Sequence, residues 1–154
     1  MYDNILIPTD GSETATVAVD HAVDLAEKYD ADVHALFVAD VDAITYSLGT
    51  EQIDRIHQGN FQGMTDLRED AEAATGSVAE QAEARGLHAV EHHAGGRPHT
   101  VITDYAADND IDLIVMGSHG RSGVQRVLLG SVTERTLRST HVPVLVVDYE
   151  RDEK

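Results

Sequence analysis

The sequence predicts an α/β fold: one open, parallel, five-stranded sheet with helices on both faces. Two observations carry that prediction. Short apolar runs of strand length alternate with amphipathic stretches of helical period along the chain, the pattern of a parallel sheet joined by right-handed crossovers. The run at 111–116 (IDLIVM) is nearly continuous in apolar residues, as a central strand covered on both faces must be. Size agrees, because 154 residues, 42% of them hydrophobic, suit one domain with a real core.

The elements follow in order. Asn4–Pro8 (NILIP) reads as a short buried strand. Ala15, Ala18, Val19, Ala22, Leu25, Ala26 and Tyr29 recur at helical spacing, which predicts an amphipathic helix over Glu13–Tyr29. Residues 32–38 (DVHALFV) form a second strand. Residues 40–59 have weak periodicity and are expected to be a loop with a short helical piece. Met64, Leu67, Ala71, Ala74, Val78 and Ala82 fall at steps of three and four, so 62–85 is a long helix, ended by Gly86 as a C-terminal cap signal. Residues 87–93 are a third strand. Gly95, Gly96 and Pro98 predict a turn into a helix at 99–109. The fourth strand is 111–116. After a glycine-rich loop, Ser131-x-x-Glu134 reads as a capping box that opens a helix over 132–140. The run VPVLVV (142–147) is the fifth strand. One domain over 1–148 and a charged tail at 149–154 are expected, with no repeat and no linker.

Charge narrows the function. There are 28 acidic residues against 11 basic ones, a net charge of −17. Only two basic residues are lysines, Lys28 and Lys154. Such a chain repels phosphate backbones and anionic membranes, so neither nucleic acid nor membrane is expected as a partner. The absence of cysteine excludes disulfides, thiolate metal sites and a cysteine nucleophile. No apolar run approaches the ~18 residues of a membrane helix. The first residues lack the basic n-region of a signal peptide, so a cytoplasmic location is expected. The periodic segments argue against an acidic disordered chain. The composition suits a folded protein of a halophilic archaeon, because at ~1 M salt a Debye length of about 3 Å screens self-repulsion.

In open α/β sheets, ligands sit beyond the carboxyl ends of the strands. Three segments occupy that edge: 8–12, 38–40 and 117–131. The last reads Gly117-Ser-His-Gly120-Arg-Ser-Gly123, then VQRVLL, then Gly130-Ser131. Glycines permit close backbone approach to a ligand, loop amides can form an anion nest, and Ser131 stands at a helix N-terminus, where phosphate is favoured. Arg121 and Arg126 lie in the same loop and can assist. Such glycines are equally the material of ordinary turns and a helix cap. There is no GxxxxGK[ST], no GxGxxG after a strand and no GxSxG elbow, so a P-loop, a Rossmann dinucleotide site and an α/β-hydrolase are unsupported.

At this point the chain resembles the universal stress proteins, in their ATP-binding branch. The likeness rests on NILIPTDGSE, LFVAD, DLIVMGSHGRSG, LLGSVTERTL and VPVLVV. That branch is marked by Gly-x2-Gly-x9-Gly-(Ser/Thr), here Gly117, Gly120, Gly130 and Ser131. The resemblance implies an adenine nucleotide alpha hydrolase-like sheet in the order 3-2-1-4-5 and a homodimer joined through the last strands, here 142–147. It implies that Asp10 contacts the ribose or adenine side of ATP, flanked by Pro8 and Thr9, and that Val38 offers backbone atoms to adenine. Met116 and Gly117 lie by the ribose in that reading. The resemblance implies that Gly120, Gly130, Ser131 and Val132 hold the phosphates, with Arg121 also among the nucleotide-binding residues.

The nine histidines are scattered and predict no dedicated metal site. His92 and His93 are adjacent on a strand and point to opposite faces. His119, inside the glycine loop, is expected to face solvent. Asp40 and Asp42 follow the second strand, but Mg²⁺ accompanying ATP is expected to be held mainly by phosphates and water. No Walker lysine and no placed general base are present. The expected function is therefore a nucleotide-dependent regulatory protein of unknown protein partner. The alternatives are a slow ATPase or phosphotransferase, and a chaperone-like stress protein with incidental nucleotide. AMP, ADP or a cyclic nucleotide can compete with ATP for such a site.

Overall fold

The computed structural model describes residues 1–41, 50–58, 60–61, 64–119 and 129–148, the side chains of 50–53 excepted. Five parallel strands form one sheet: β1 (Asn4–Pro8), β2 (Asp32–Asp40), β3 (Ala89–Gly96), β4 (Leu113–Gly117) and β5 (Val144–Val147). Their order is β3-β2-β1-β4-β5, as expected. Among the described residues, five helices connect or flank them: α1 (Glu13–Tyr29), α2 (Thr50–His57), α3 (Thr65–Ala84), α4 (Pro98–Asp108) and α5 (Ser131–Ser139). The α2 helix is the short helical piece expected within 40–59.

Period-two alternation splits each strand between two cores. Ile5, Ile7, Val33, Ala35, Leu113 and Val115 face one side, with the buried stripe of α1 and with Val78 and Ala82 of α3. Leu6, Leu36, Ile114 and Met116 face the other, against Ile102 and Ala106 of α4. The α5 helix packs beside α4 on that second face. A third apolar group joins Phe37 and Ala39 of β2 to Ile56 of α2 and Ala71 and Ala74 of α3. Truncating a fully buried residue such as Leu36 costs ~2–5 kcal/mol at positions of this kind.

Three helices end the same way. A residue in the left-handed region follows or closes the last turn: Asp30 (φ 54°), Gly86 (φ 75°) and Asp110 (φ 52°). The next amide then reaches back five residues, from Ala31 to Ala26, Leu87 to Ala82 and Ile111 to Ala106, at 2.9, 3.0 and 3.1 Å. This is the hydrogen bond of a Schellman close. Each time it returns a buried apolar residue to the core just before the next strand. Gly86 therefore ends its helix as the sequence predicts.

Strand ends differ from expectation. β3 runs on through Gly95 and Gly96, which pair with Ala39 and Asp40, so the expected turn there is strand. The reason is tertiary. A β-carbon on Gly95 would collide with the Ile56 carbonyl, so glycine lets α2 lie directly on the strand. Pro98 becomes the first residue of α4, where its missing N–H costs nothing. His92 and His93 do face opposite ways: His92 meets Tyr105 of α4 and His93 stacks on Phe61.

Candidate functional site

The sheet order reverses at β1, which has β2 on one side and β4 on the other. The chain leaves β1 for β2 over one face and reaches β4 from β3 over the opposite face, opening a crevice at their carboxyl ends. Two helix N-termini stand there, α1 after β1 and α5 after the β4 loop.

The first carries a side-chain cap. Thr9 is buried, and its amide donates to the Leu36 carbonyl at 2.9 Å. Its Oγ1 accepts from the Gly11 amide at 3.2 Å, and Asp10 Oδ1 accepts from the Ser12 amide at 2.9 Å. Gly11 takes φ 79°, a turn conformation that glycine adopts without strain. Ser12 is the N-cap, with Oγ accepting from the Ala15 amide at 3.3 Å.

The second is open. Gly130, extended at φ −69° and ψ 160°, is the N-cap of α5, and no side chain caps it. Ser131 is therefore the first helical residue, not the cap, and the expected capping box does not form. Glu134 instead pairs with Arg138 at 2.8 Å. The cause is a tie on Gly130, whose amide donates to the Ser118 carbonyl at 2.6 Å. Among the described residues, no acceptor faces the amides of Ser131, Val132 and Thr133. Such aligned N–H groups, at the positive end of a helix dipole, are the kind of feature that favours an anion.

The described start of the β4 loop, Ser118 and His119, is held to its surroundings by hydrogen bonds. Thr133 Oγ1 donates to the Gly117 carbonyl at 2.8 Å. The Ser118 amide donates to the Val147 carbonyl at 2.9 Å, and Ser118 Oγ donates to Asp148 Oδ1 at 2.7 Å. His119 is half-buried, not solvent-facing. Its Nδ1 lies 3.1 Å from Ser118 Oγ and its Nε2 3.1 Å from Thr14 Oγ1.

The described motif glycines make room for protein before any ligand. A β-carbon on Gly117 would lie 2.7 Å from Thr14 Cγ2, and one on Gly130 3.1 Å from His119 Cα. A side chain at Gly130 would therefore press on the loop as well as on anything bound there. Val38, Met116 and Val132 share the second core face, Met116 buried and the other two partly so. Pro8 pairs with Leu36 at the sheet edge. Thus Pro8, Thr9, Asp10, Gly117, Gly130 and Ser131 all stand at the crevice. Gly120, Arg121, Arg126 and Asp42 lie outside the described residues. Thr14, Ser118, Thr133 and Asp148 were missed by the sequence reading, since nothing local marks a threonine in a helix as the partner of a loop a hundred residues on.

A cleft of about 170 Å³ opens between α1 and α3; Thr9 and Gly11, at the β1 end of the crevice, line it together with Thr16, Asp70, Ser77 and Gln81. It is smaller than the ~300–1,000 Å³ of typical ligand pockets. Among the described residues, no three His, Asp or Glu side chains converge as metal ligands, and no helix is long and apolar enough to cross a membrane.

A parallel sheet with helices on both faces and a switch point at β1 places the chain in the doubly wound class of α/β proteins. Within that class the chain belongs to the universal stress protein family, whose model matches residues 1–148. It is 35% identical over 154 residues to universal stress protein MJ0531 of Methanocaldococcus jannaschii, covering 99% of this chain and 86% of that protein. The solved structure of MJ0577, a universal stress protein of the same organism, is 32% identical, covers 99% of both chains and superposes with a TM-score of 0.79. A universal stress protein from Archaeoglobus fulgidus solved in complex with dAMP is 18% identical, covers 95% of this chain and 98% of that one, and shares the fold with a TM-score of 0.65.

Proposed function

We propose that this protein is a nucleotide-dependent regulatory protein of the stress response that binds ATP at the β1–β4 crevice. The observation that carries the reading is the uncapped N-terminus of α5, set behind Gly130 at the topological switch point. In a chain of net charge −17, backbone amides are the means of holding phosphates that bring no further side-chain charge. The Gly117-x2-Gly120-x9-Gly130-Ser131 spacing and the dAMP complex of a protein of the same fold support a nucleotide as the anion.

In this reading the phosphates lie on the amides of Ser131, Val132 and Thr133, with Gly120 and Arg121 closing the loop side. The nucleoside lies toward Pro8, Thr9, Asp10 and the Val38 backbone, with Met116 and Gly117 at the ribose. Mg²⁺ rides on the phosphates and water, because the described residues supply no carboxylate cage. The domain spans 1–148, acts in the cytoplasm, and pairs with a second copy along β5, which otherwise leaves an exposed sheet edge. Hydrolysis is absent or far below the ~1–10³ s⁻¹ of typical enzymes.

The test is to denature the purified protein, identify any released nucleotide, and titrate Mg-ATP calorimetrically beside a turnover assay. Released or titratable adenine nucleotide without turnover is expected. No binding by wild type overturns the reading, and brisk turnover replaces it with an ATPase.

A further inference from the structure

Thr14, His119, Ser118 and Asp148 form one unbroken hydrogen-bonded chain from α1 to the end of β5. Its direction follows from proton counting. Ser118 Oγ has one proton and gives it to Asp148 Oδ1. Ser118 Oγ therefore accepts from His119 Nδ1, which must carry the ring proton. The Nε2 of a neutral ring is then an acceptor, and Thr14 Oγ1 donates to it. All three bonds point toward the Asp148 carboxylate, an arrangement in which each bond polarises the next.

The chain grips the backbone that seats α5. The Ser118 carbonyl receives the Gly130 amide at 2.6 Å. The His119 Cα and Cβ lie 3.1 and 3.3 Å from where a Gly130 β-carbon would stand. Fixing the His119 ring thus fixes residues 118 and 119, and through them Gly130 and the three open amides beyond it. Thr14 has two separable contacts. Its methyl packs on Gly117, and its hydroxyl holds the imidazole.

We propose that His119, oriented by the Thr14 hydroxyl, is a positioning residue that sets the α5 N-terminus to receive phosphate; this rests on the nucleotide reading above. His119 acts through the loop backbone and needs no contact with the nucleotide. The methyl of Thr14 serves stability and its hydroxyl serves affinity.

Nitrogen-15 spectroscopy of the wild-type imidazoles tests the chain without any ligand. The expected tautomer of the His119 ring is the one protonated at Nδ1; the Nε2-protonated form or an exchanging mixture overturns the proposal. Calorimetry with Mg-ATP tests the role. Thr14→Val keeps the side-chain shape and is expected to lose about tenfold in affinity, beside the modest drop in melting temperature that loss of one hydrogen bond brings. Thr14→Ser keeps the hydroxyl and is expected to hold wild-type affinity within about twofold while melting lower, as a lost buried methyl requires. Wild-type binding with equal affinity in Thr14→Val overturns the positioning role and leaves the nucleotide reading intact. No binding by wild type overturns both, whatever the tautomer. If Thr14→Val does not fold, the wild-type tautomer and the Thr14→Ser affinity still decide.

Discussion

Two helices begin at the same edge of the sheet, and they treat their exposed amides in opposite ways. At α1, Thr9, Asp10 and Ser12 each supply a side-chain oxygen to a nearby backbone N–H. At α5, Gly130 takes the cap position without a side chain, and Ser131 is already helical. The first arrangement caps one open amide of the helix, that of Ala15, and ties the Gly11 and Ser12 amides of the turn before it. The second leaves its first amides without a side-chain acceptor, which forgoes only a few tenths of a kcal/mol because glycine is itself a tolerated cap, and suits the anion site proposed there. A helix N-terminus in this fold is thus not a ligand site by position alone. What distinguishes the two is which residue occupies the cap.

The largest expected effect breaks the contrast at α5. Gly130 already has the extended backbone that a following proline demands, and Pro98 opens α4 in the same way. Ser131→Pro should therefore leave the fold intact while deleting one donor. Mg-ATP affinity should fall by about 10- to 100-fold, as for a hydrogen bond to a charged group, with melting nearly unchanged. Ser131→Ala, which keeps the amide, should bind almost as wild type. Equal affinity for Ser131→Pro and Ser131→Ala would show that the α5 amides do not hold the phosphates.

The mirror experiment is at α1. Ser12→Ala removes the oxygen that caps Ala15 and should cost about 0.5–2 kcal/mol of stability, a few degrees of melting temperature for a chain of this size. Nucleotide affinity should stay within about twofold. A large loss of affinity without a change in melting would place the ligand on α1 instead.

Salt sharpens the contrast between amides and arginines. With a net charge of −17, raising KCl from ~0.1 to ~1 M shortens the Debye length from about 10 to 3 Å. Stability should rise as self-repulsion is screened, and ATP affinity should hold or rise. A steep fall in affinity with salt would instead assign the phosphates to the side chains of Arg121 and Arg126.

The smallest effect belongs to the other half of the sheet. His34 on β2 and His93 on β3 both have pKa values lowered by burial, which outweighs the opposing pull of Asp32 and of Glu91 respectively. The unfolded chain, with histidine near 6.5, then binds more protons than the native one over the window below that value. Stability should therefore be full above about pH 6.5 and fall as the pH drops toward the lowered native values. His34 is hydrogen-bonded to Asn4 and Tyr105, and His93 to Thr75. Replacing both with glutamine should flatten the slope of melting temperature against pH, and an unchanged slope would assign the acid response elsewhere.

Much of this molecule is determined by short-range sequence. Alternating apolar runs in Ile5–Ile7 and Leu113–Met116, the helical stripe from Ala15 to Ala26, and the left-handed close at Gly86 are local preferences of a few neighbouring residues. They already specify strands, helices and one helix end, and the glycine spacing from Gly117 to Gly130 already marks the loop. The tertiary structure decided what each glycine is for. Gly95 continues a strand because α2 crosses it, Gly117 is small because Thr14 lies against it, and Gly130 takes the cap because Ser118 holds its amide. It also turned His119 inward to Thr14. Each of these depends on a surface brought from elsewhere in the chain, 105 residues away for Thr14 and His119. Steric contact and hydrogen bonding act over a few ångströms of space, and no periodicity within one segment encodes which distant segment will fill them.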